Sequence, residues 1–141
     1  MIPKTPTSRF FYGIAQGTEH ALKWPFFRCQ MCGQCALRTT GFTCPMRCPK
    51  QLRNGPCGGA MNGRCETDPT KACVWCLIYK RSNTLIGKAF GQPAKLARAF
   101  PAIDWRLYGT CAWINVVTGL IDWNGHAKRE KIDKAFGKQN G

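Results

Sequence analysis

Apolar residues recur at helical spacing in only a few stretches of this chain. A short amphipathic stretch around residues 21–24 closes an N-terminal arm, residues 1–24. A first helix is predicted over 69–81, with Asp68 as N-cap, Pro69 at the first helical position and Lys80 and Arg81 near its C-terminal end. It places Cys73 and Cys76 on one face. A second helix is predicted over 126–136 in the polar tail, stopped by Gly137. Between Phe26 and Gly63 the chain is dense in Gly, Pro, Cys, Asn and Thr, which predicts loops shaped by ligation. Residues 81–103 are basic, with Gly87, Gly91, Pro93 and Pro101 interrupting helical pieces. Trp105, Tyr108, Trp113 and Trp123 mark residues 104–125 as an aromatic segment. The expected fold is a small, mostly irregular, metal-organised domain with short α-helices and little or no β-sheet. Its expected organisation is an arm (1–24), a cysteine-rich iron–sulfur domain (25–82) and a basic, aromatic-containing extension for docking (83–141).

Composition explains why metal enters the picture. The 141 residues fit one domain and include 10 cysteines. Aliphatic residues are sparse in the cysteine-rich half, and such chains need staples or metals to hold a shape. The N-terminus shows no apolar run of signal-peptide length, so the expected setting is the reducing cytoplasm. There, clustered cysteines read as metal ligands before disulfides. The best apolar stretch, residues 111–123, is too short to span a membrane and includes Asn115 and Asp122.

The formal charge of +14 suggests nucleic acid, an acidic protein surface or an anionic ligand as partner. A four-cysteine [4Fe–4S] site adds two negative charges, so two such sites lower +14 to +10. Arg28, Arg38, Arg47, Lys50, Arg53 and Arg64 lie among the cysteines and can offset that charge.

The cysteine order is Cys29-x2-Cys32-x2-Cys35-x8-Cys44-x3-Cys48-x8-Cys57-x7-Cys65-x7-Cys73-x2-Cys76. Three cysteines spaced by two residues can wrap one cluster, as in the bacterial ferredoxin run, and zinc sites more often use two pairs. Cys44-Pro45 and Cys48-Pro49 add the Cys-Pro element of that run. The match is partial, because the next cysteine after the triplet follows at nine positions instead of four. Gly33 and the glycines around Cys57 permit close backbone approach, with N–H groups aimed at sulfur, or else only tight turns. Eight cysteines ligate two [4Fe–4S] clusters, and residues 29–76 hold nine, so spacing leaves the spare one open. Cys111, in the aromatic segment, reads as a buried free thiol. His20 and His126 read as ordinary surface residues in helical contexts. No catalytic pair, phosphate loop or dinucleotide fingerprint is present, so no independent active site is expected.

Three segments carry a resemblance: Cys29-Gln-Met-Cys-Gly-Gln-Cys35, Thr40-Gly-Phe-Thr-Cys44-Pro-Met-Arg-Cys48-Pro-Lys50 and Leu52-Arg-Asn-Gly-Pro-Cys57-Gly-Gly59. Gly63-Arg-Cys65-Glu66 and Cys73-Val-Trp75 extend it. Together, over about residues 20–82, they resemble the methylenetetrahydrofolate reductase C-terminal family, which includes a small cysteine-rich partner subunit of that enzyme. The resemblance implies two [4Fe–4S] clusters on Cys29, Cys32, Cys35, Cys44, Cys48, Cys57, Cys65 and Cys73, with Cys76 as the spare. It implies a flavin-dependent (β/α)8-barrel reductase subunit as partner, carrying FMN or FAD, and possible access to a further electron-donor subunit. The expected pairing puts Cys29, Cys32 and Cys35 on one cluster with a distant fourth cysteine, and Cys44, Cys48, Cys57 and Cys65 on the other. The implied function is electron transfer and scaffolding, with the basic face and the aromatics of 104–123 docking the partner. The alternatives are a purely structural metal subunit and a zinc-binding nucleic-acid module. The triplet and the absence of histidines at zinc-finger spacing argue against the zinc module.

Overall fold

The computed structural model describes residues 6–90 and 102–138. Five α-helices lie in this region: α1 (Pro6–Phe27), α2 (Val74–Ser82), α3 (Leu85–Phe90), α4 (Ala112–Val117) and α5 (Arg129–Phe136). Single 3-10 turns occupy Pro45–Arg47 and Trp105–Leu107. Among the described residues there is no β-strand, only isolated bridges such as Arg64 with Ala72 and Ile121 with Ala127. The fold class therefore matches the expectation. Gly91, Pro93 and Pro101 fall outside the described residues.

The helices differ from expectation in three places, each for a local reason. The N-terminal arm forms a 22-residue helix, α1, far beyond the stretch predicted near its end. α1 ends where Arg28 turns left-handed (φ 49) and donates its N–H to the Trp24 carbonyl at 2.8 Å. α2 begins at Val74 instead of residue 69, because the preceding backbone has other partners. Cys65 N–H donates to Lys71 O at 3.0 Å, and Cys73 N–H donates to Gly63 O at 2.7 Å. Asp68 caps a turn, accepting from the Thr70 N–H at 3.2 Å, and opens no helix. α5 begins at Arg129, since His126 and Lys128 donate their N–H groups back to Asp122 and Leu120. Its predicted stop holds: Gly137 takes φ 86.

Two small apolar clusters form. Ala36, Cys48, Val74, Trp75 and Ile78 make one, pinned by a 2.8 Å hydrogen bond from the Trp75 indole to Leu52 O. Leu107, Ala112, Leu120, Ile121 and Ile132 make the other. A polar seam joins the cysteine loops to the second cluster. The fully buried Gln34 donates to Asp104 O at 2.9 Å and accepts from the Asp104 N–H at 3.3 Å. Arg53 donates to Gly125 O at 2.5 Å, and Asn115 donates to Gly33 O at 2.8 Å. Buried polar groups are tolerated only when bonded this way. Four aromatics of the C-terminal half, Trp105, Tyr108, Trp113 and Trp123, stay exposed and leave that core to aliphatics.

Candidate metal-binding site

The ten cysteines are free thiols. Four of them, Cys29, Cys32, Cys35 and Cys44, line one tight pocket of about 20 Å3. Phe27, Leu37, Ala36 and Pro45 supply apolar wall. The nine-position gap from Cys35 to Cys44 is taken up by consecutive turns. Thr39 and Thr40 N–H groups donate to Ala36 O, Phe42 to Leu37 O and Thr43 to Thr40 O. The buried Thr40 hydroxyl bonds the carbonyls of Ala36 and Thr43. These turns fold Cys44 back onto the triplet. The structure thus puts Cys44 in one pocket with Cys29, Cys32 and Cys35, where the expected pairing grouped it with Cys48, Cys57 and Cys65.

The sulfurs share a hydrogen-bonding pattern. Met31 N–H donates to the Cys29 sulfur at 3.4 Å, and the Gln34 and Met46 N–H groups serve Cys32 and Cys44 in the same i to i+2 sense. Burial still dominates: it raises the Cys29 and Cys32 thiols and pushes Cys44 up to about 12. Neighbouring thiols raise all three further. Thiols raised in this way need positive charge among them to become thiolates together.

Two cations stand beside the pocket. Lys23 hydrogen-bonds the Cys35 sulfur and Glu19, whose carboxylate lies 2.5 Å from the ammonium. Burial alone lowers the Lys23 ammonium, but Cys35 and Glu19 outweigh it and leave the group above its ordinary value. Glu19 is 2 % exposed and also accepts the Ala112 N–H at 2.7 Å. Arg53 is 1 % exposed, and burial lowers its guanidinium against the pull of Cys32, Cys35, Asp122 and Cys44. Of the basic residues expected to offset thiolate charge, Arg53 does so here and Lys50 does so near Cys65. Lys23 and Glu19 were missed. Their one sequence signal is a charged i, i+4 pair just ahead of the triplet.

The remaining cysteines assemble differently. Cys48 is buried in the first apolar cluster, and Cys73 packs against that cluster. Backbone pairing ties 63–65 to 71–73, and a Lys50–Glu66 ion pair ties the stretch after Cys48 to Cys65. The Cys65 thiol is lowered, first by the Thr67 hydroxyl at 3.1 Å, then by Thr67 and Asp68 N–H groups, with a further pull from Lys50. Cys57 and Cys76 are exposed, and the Cys76 thiol lies against that of Cys73. Cys111 is a buried thiol, as expected, near Glu19. His126 lies outside any helix, with Nδ1 3.0 Å from Asp122. Among the described residues, no three His, Cys, Asp or Glu side chains form a group that could hold a metal ion.

Gly33 serves the fold first. A side chain there would come within 2.1 Å of Leu107 O, so the close approach is to the 107–110 turn. Gly58, at φ 81, meets nothing within 4 Å and serves the turn itself.

No helix among the described residues is long and apolar enough to cross a membrane. Neither a search of curated proteins nor one of solved structures finds a match. A family profile described as "Methylene-tetrahydrofolate reductase C terminal" matches residues 12–106. The match begins within α1 and reaches the Trp105–Leu107 turn, so it takes in Lys23, nine of the ten cysteines and the Gln34–Asp104 clamp. The chain belongs to the methylenetetrahydrofolate reductase C-terminal family.

Proposed function

We propose that this chain is the iron–sulfur electron-transfer and scaffold subunit of a methylenetetrahydrofolate reductase complex. The observation that supports it best is the pocket on which Cys29, Cys32, Cys35 and Cys44 converge. Four thiols around one apolar, cation-flanked space supply the four-thiolate donor set that a [4Fe–4S] cluster takes. When bound, that group supplies one-electron chemistry. The chain's own residues do the rest. The four thiolates hold it, and Phe27, Leu37 and Pro45 keep water from it. Lys23 and the amides of Met31, Gln34 and Met46 donate to the sulfurs, which favours the more negative, reduced state. Arg53 adds a buried positive charge on the same side of the balance.

The second cluster belongs to Cys48, Cys57, Cys65 and Cys73. Its first, third and fourth ligands are drawn together by the apolar cluster and the 63–65 to 71–73 pairing. Cys48 sits inside a hydrophobic core, which favours a structural duty for this site alongside any redox one. The partner is a flavin-dependent (β/α)8-barrel subunit carrying FMN or FAD, and electrons pass to that flavin. The chain works in the cytoplasm, where free thiols stay reduced.

Anaerobic purification of the chain with whatever accompanies it tests the proposal, with iron, sulfide, zinc and flavin quantified. Iron and sulfide in equal amounts, and a flavin protein in the same fraction, support it. Zinc without iron or sulfide, or cysteines paired as disulfides, contradicts it.

A further inference from the structure

α2 opens on two thiols. Cys73 is its N-cap, in extended backbone (ψ 121), and Cys76 is the third residue of the helix. The Cys73 carbonyl accepts the Leu77 N–H at 3.1 Å, which closes the turn between them. An N-cap side chain faces the side chain three residues on, as Ser faces Glu in a capping box. Here both are thiols, and the Cys76 thiol hydrogen-bonds that of Cys73. We propose that Cys76 is a resolving thiol, which closes a reversible disulfide with Cys73 when the second metal group is lost to an oxidant. The inference rests on the assignment of Cys73 to that group.

Reach, anchoring and access all favour the pair. Residues three apart on a helical turn have α-carbons about 5 Å apart, within the roughly 4.4–6.8 Å that a disulfide spans. The backbone carrying both thiols is fixed. Trp75, between them, is buried and donates its indole N–H to Leu52 O, and Cys73 donates its N–H to Gly63 O at 2.7 Å. Cys76 is exposed and Cys73 half-buried, whereas Cys48 and Cys65 of the same group are buried. An oxidant from solvent therefore meets Cys76 before those two. With hydrogen peroxide, the Cys76 sulfur takes one oxygen as the O–O bond breaks, and a water leaves. The Cys73 sulfur then displaces that oxygen: the S–S bond forms, the S–O bond breaks and a second water leaves. Two thiols and one peroxide become one disulfide and two waters, and a dithiol restores the thiols. Without Cys76, Cys73 climbs to sulfinic and sulfonic acid, which a dithiol does not reverse. Transient disulfides of this kind are the ones a reducing compartment permits.

The ordinary reading is that Cys76 is an exposed bystander on α2. The test uses the full chain loaded anaerobically with iron and sulfide, as wild type and as Cys76→Ser. Kept from oxidant, the pair stays reduced. Hydrogen peroxide is then added until iron is released, free thiols are alkylated and the chain is cut with trypsin, which leaves both positions in one peptide, residues 72–80. The wild-type peptide should be lighter by two hydrogens and carry no alkyl group. The Cys76→Ser peptide should carry added oxygen at Cys73. In unalkylated samples, dithiothreitol followed by iron and sulfide should return the wild type to about eight irons and the variant to about four, a twofold difference. A wild-type peptide alkylated at both positions, or Cys73 paired with Cys65 instead, overturns the proposal. So does equal iron recovery in the two chains. A Cys76→Ser chain that loads less iron than wild type before any peroxide makes Cys76 a ligand and overturns it too. The first loading keeps the failures apart. A wild-type chain that takes up no iron at that stage sinks the metal reading and this inference with it. One that loads fully and is then alkylated at both positions sinks this inference alone.

Discussion

The two thiol groups of this chain are built by different means. Cys29, Cys32, Cys35 and Cys44 surround a pocket whose walls and charges come from distant segments: Glu19 and Lys23 on α1, Thr110 just before α4 and Ala112 at its start. Cys48, Cys65 and Cys73 gather through near neighbours, a short backbone pairing and an apolar cluster of α2. The first group depends on the whole molecule, and the second largely on its own loop. In the first, burial works against thiolates and is answered by Lys23 and Arg53. In the second, amide and hydroxyl donors already favour the Cys65 thiolate. Damage to α1 or to the 104–115 segment should therefore strike one group and spare the other.

The largest effect is expected at Glu19. Glu19→Ala leaves the Lys23 ammonium and the Ala112 N–H without their carboxylate, in nearly full burial. Breaking a buried pair in this way costs about 3–5 kcal/mol. Urea unfolding of the reconstituted chain should show that loss, with iron released from the first group before the second. Loss of both groups together would erase the contrast.

Gly33→Ala comes next. The side chain would meet Leu107 O at 2.1 Å in a left-handed backbone at φ 68. Strain and overpacking together cost about 3 kcal/mol. Thermal unfolding should register it, and the Gly58→Ala variant, with open space around it, should lose less.

Acid gives a smaller, graded effect. Hydrogen bonds from Arg106 hold the Asp104 carboxyl below its ordinary value of 3.8. A depressed folded value means that its contribution is whole above that figure and is lost as pH falls through the folded one. That carboxylate accepts from the Arg106 N–H and guanidinium, so falling pH should loosen the 104–106 turn, whose backbone holds Gln34 between Cys32 and Cys35. An Asp104→Asn variant should flatten stability against pH below about pH 4. The smallest effect is expected at Cys76. It is exposed, and a Cys76→Ser variant should keep its iron and its stability, sharpening the assignment of Cys57 as the second group's fourth ligand.

What was legible in the sequence follows from how local each feature is. The irregular loops of residues 28–63, the helix around Cys76 and its basic C-terminal end, and the Gly137 stop all depend on near neighbours. α1 was hidden because its periodicity is inverted. Phe10, Phe11, Ile14 and Leu22 face outward, and the face that packs uses Tyr12, Gln16, Glu19 and Lys23. Gln16 donates to Gly109 O at 2.5 Å, and the Tyr12 hydroxyl accepts the Cys111 N–H at 3.1 Å. A helix docked by polar contacts carries no apolar stripe to read. The start of α2 was misplaced because Asp68-Pro69 is a sound helix opening until backbone pairing across the 63–73 loop claims the same groups. The place of Cys44 beside the triplet was not legible, because spacing counts residues and does not see the turns at 36–43 that bring it back.

Iron counting on the wild-type chain and its Cys44→Ser variant, both reconstituted anaerobically, tests the central claim most directly. Two four-iron groups predict about eight irons per chain, falling to about four in Cys44→Ser. Unchanged iron in Cys44→Ser, or zinc in place of iron in the wild type, would contradict it.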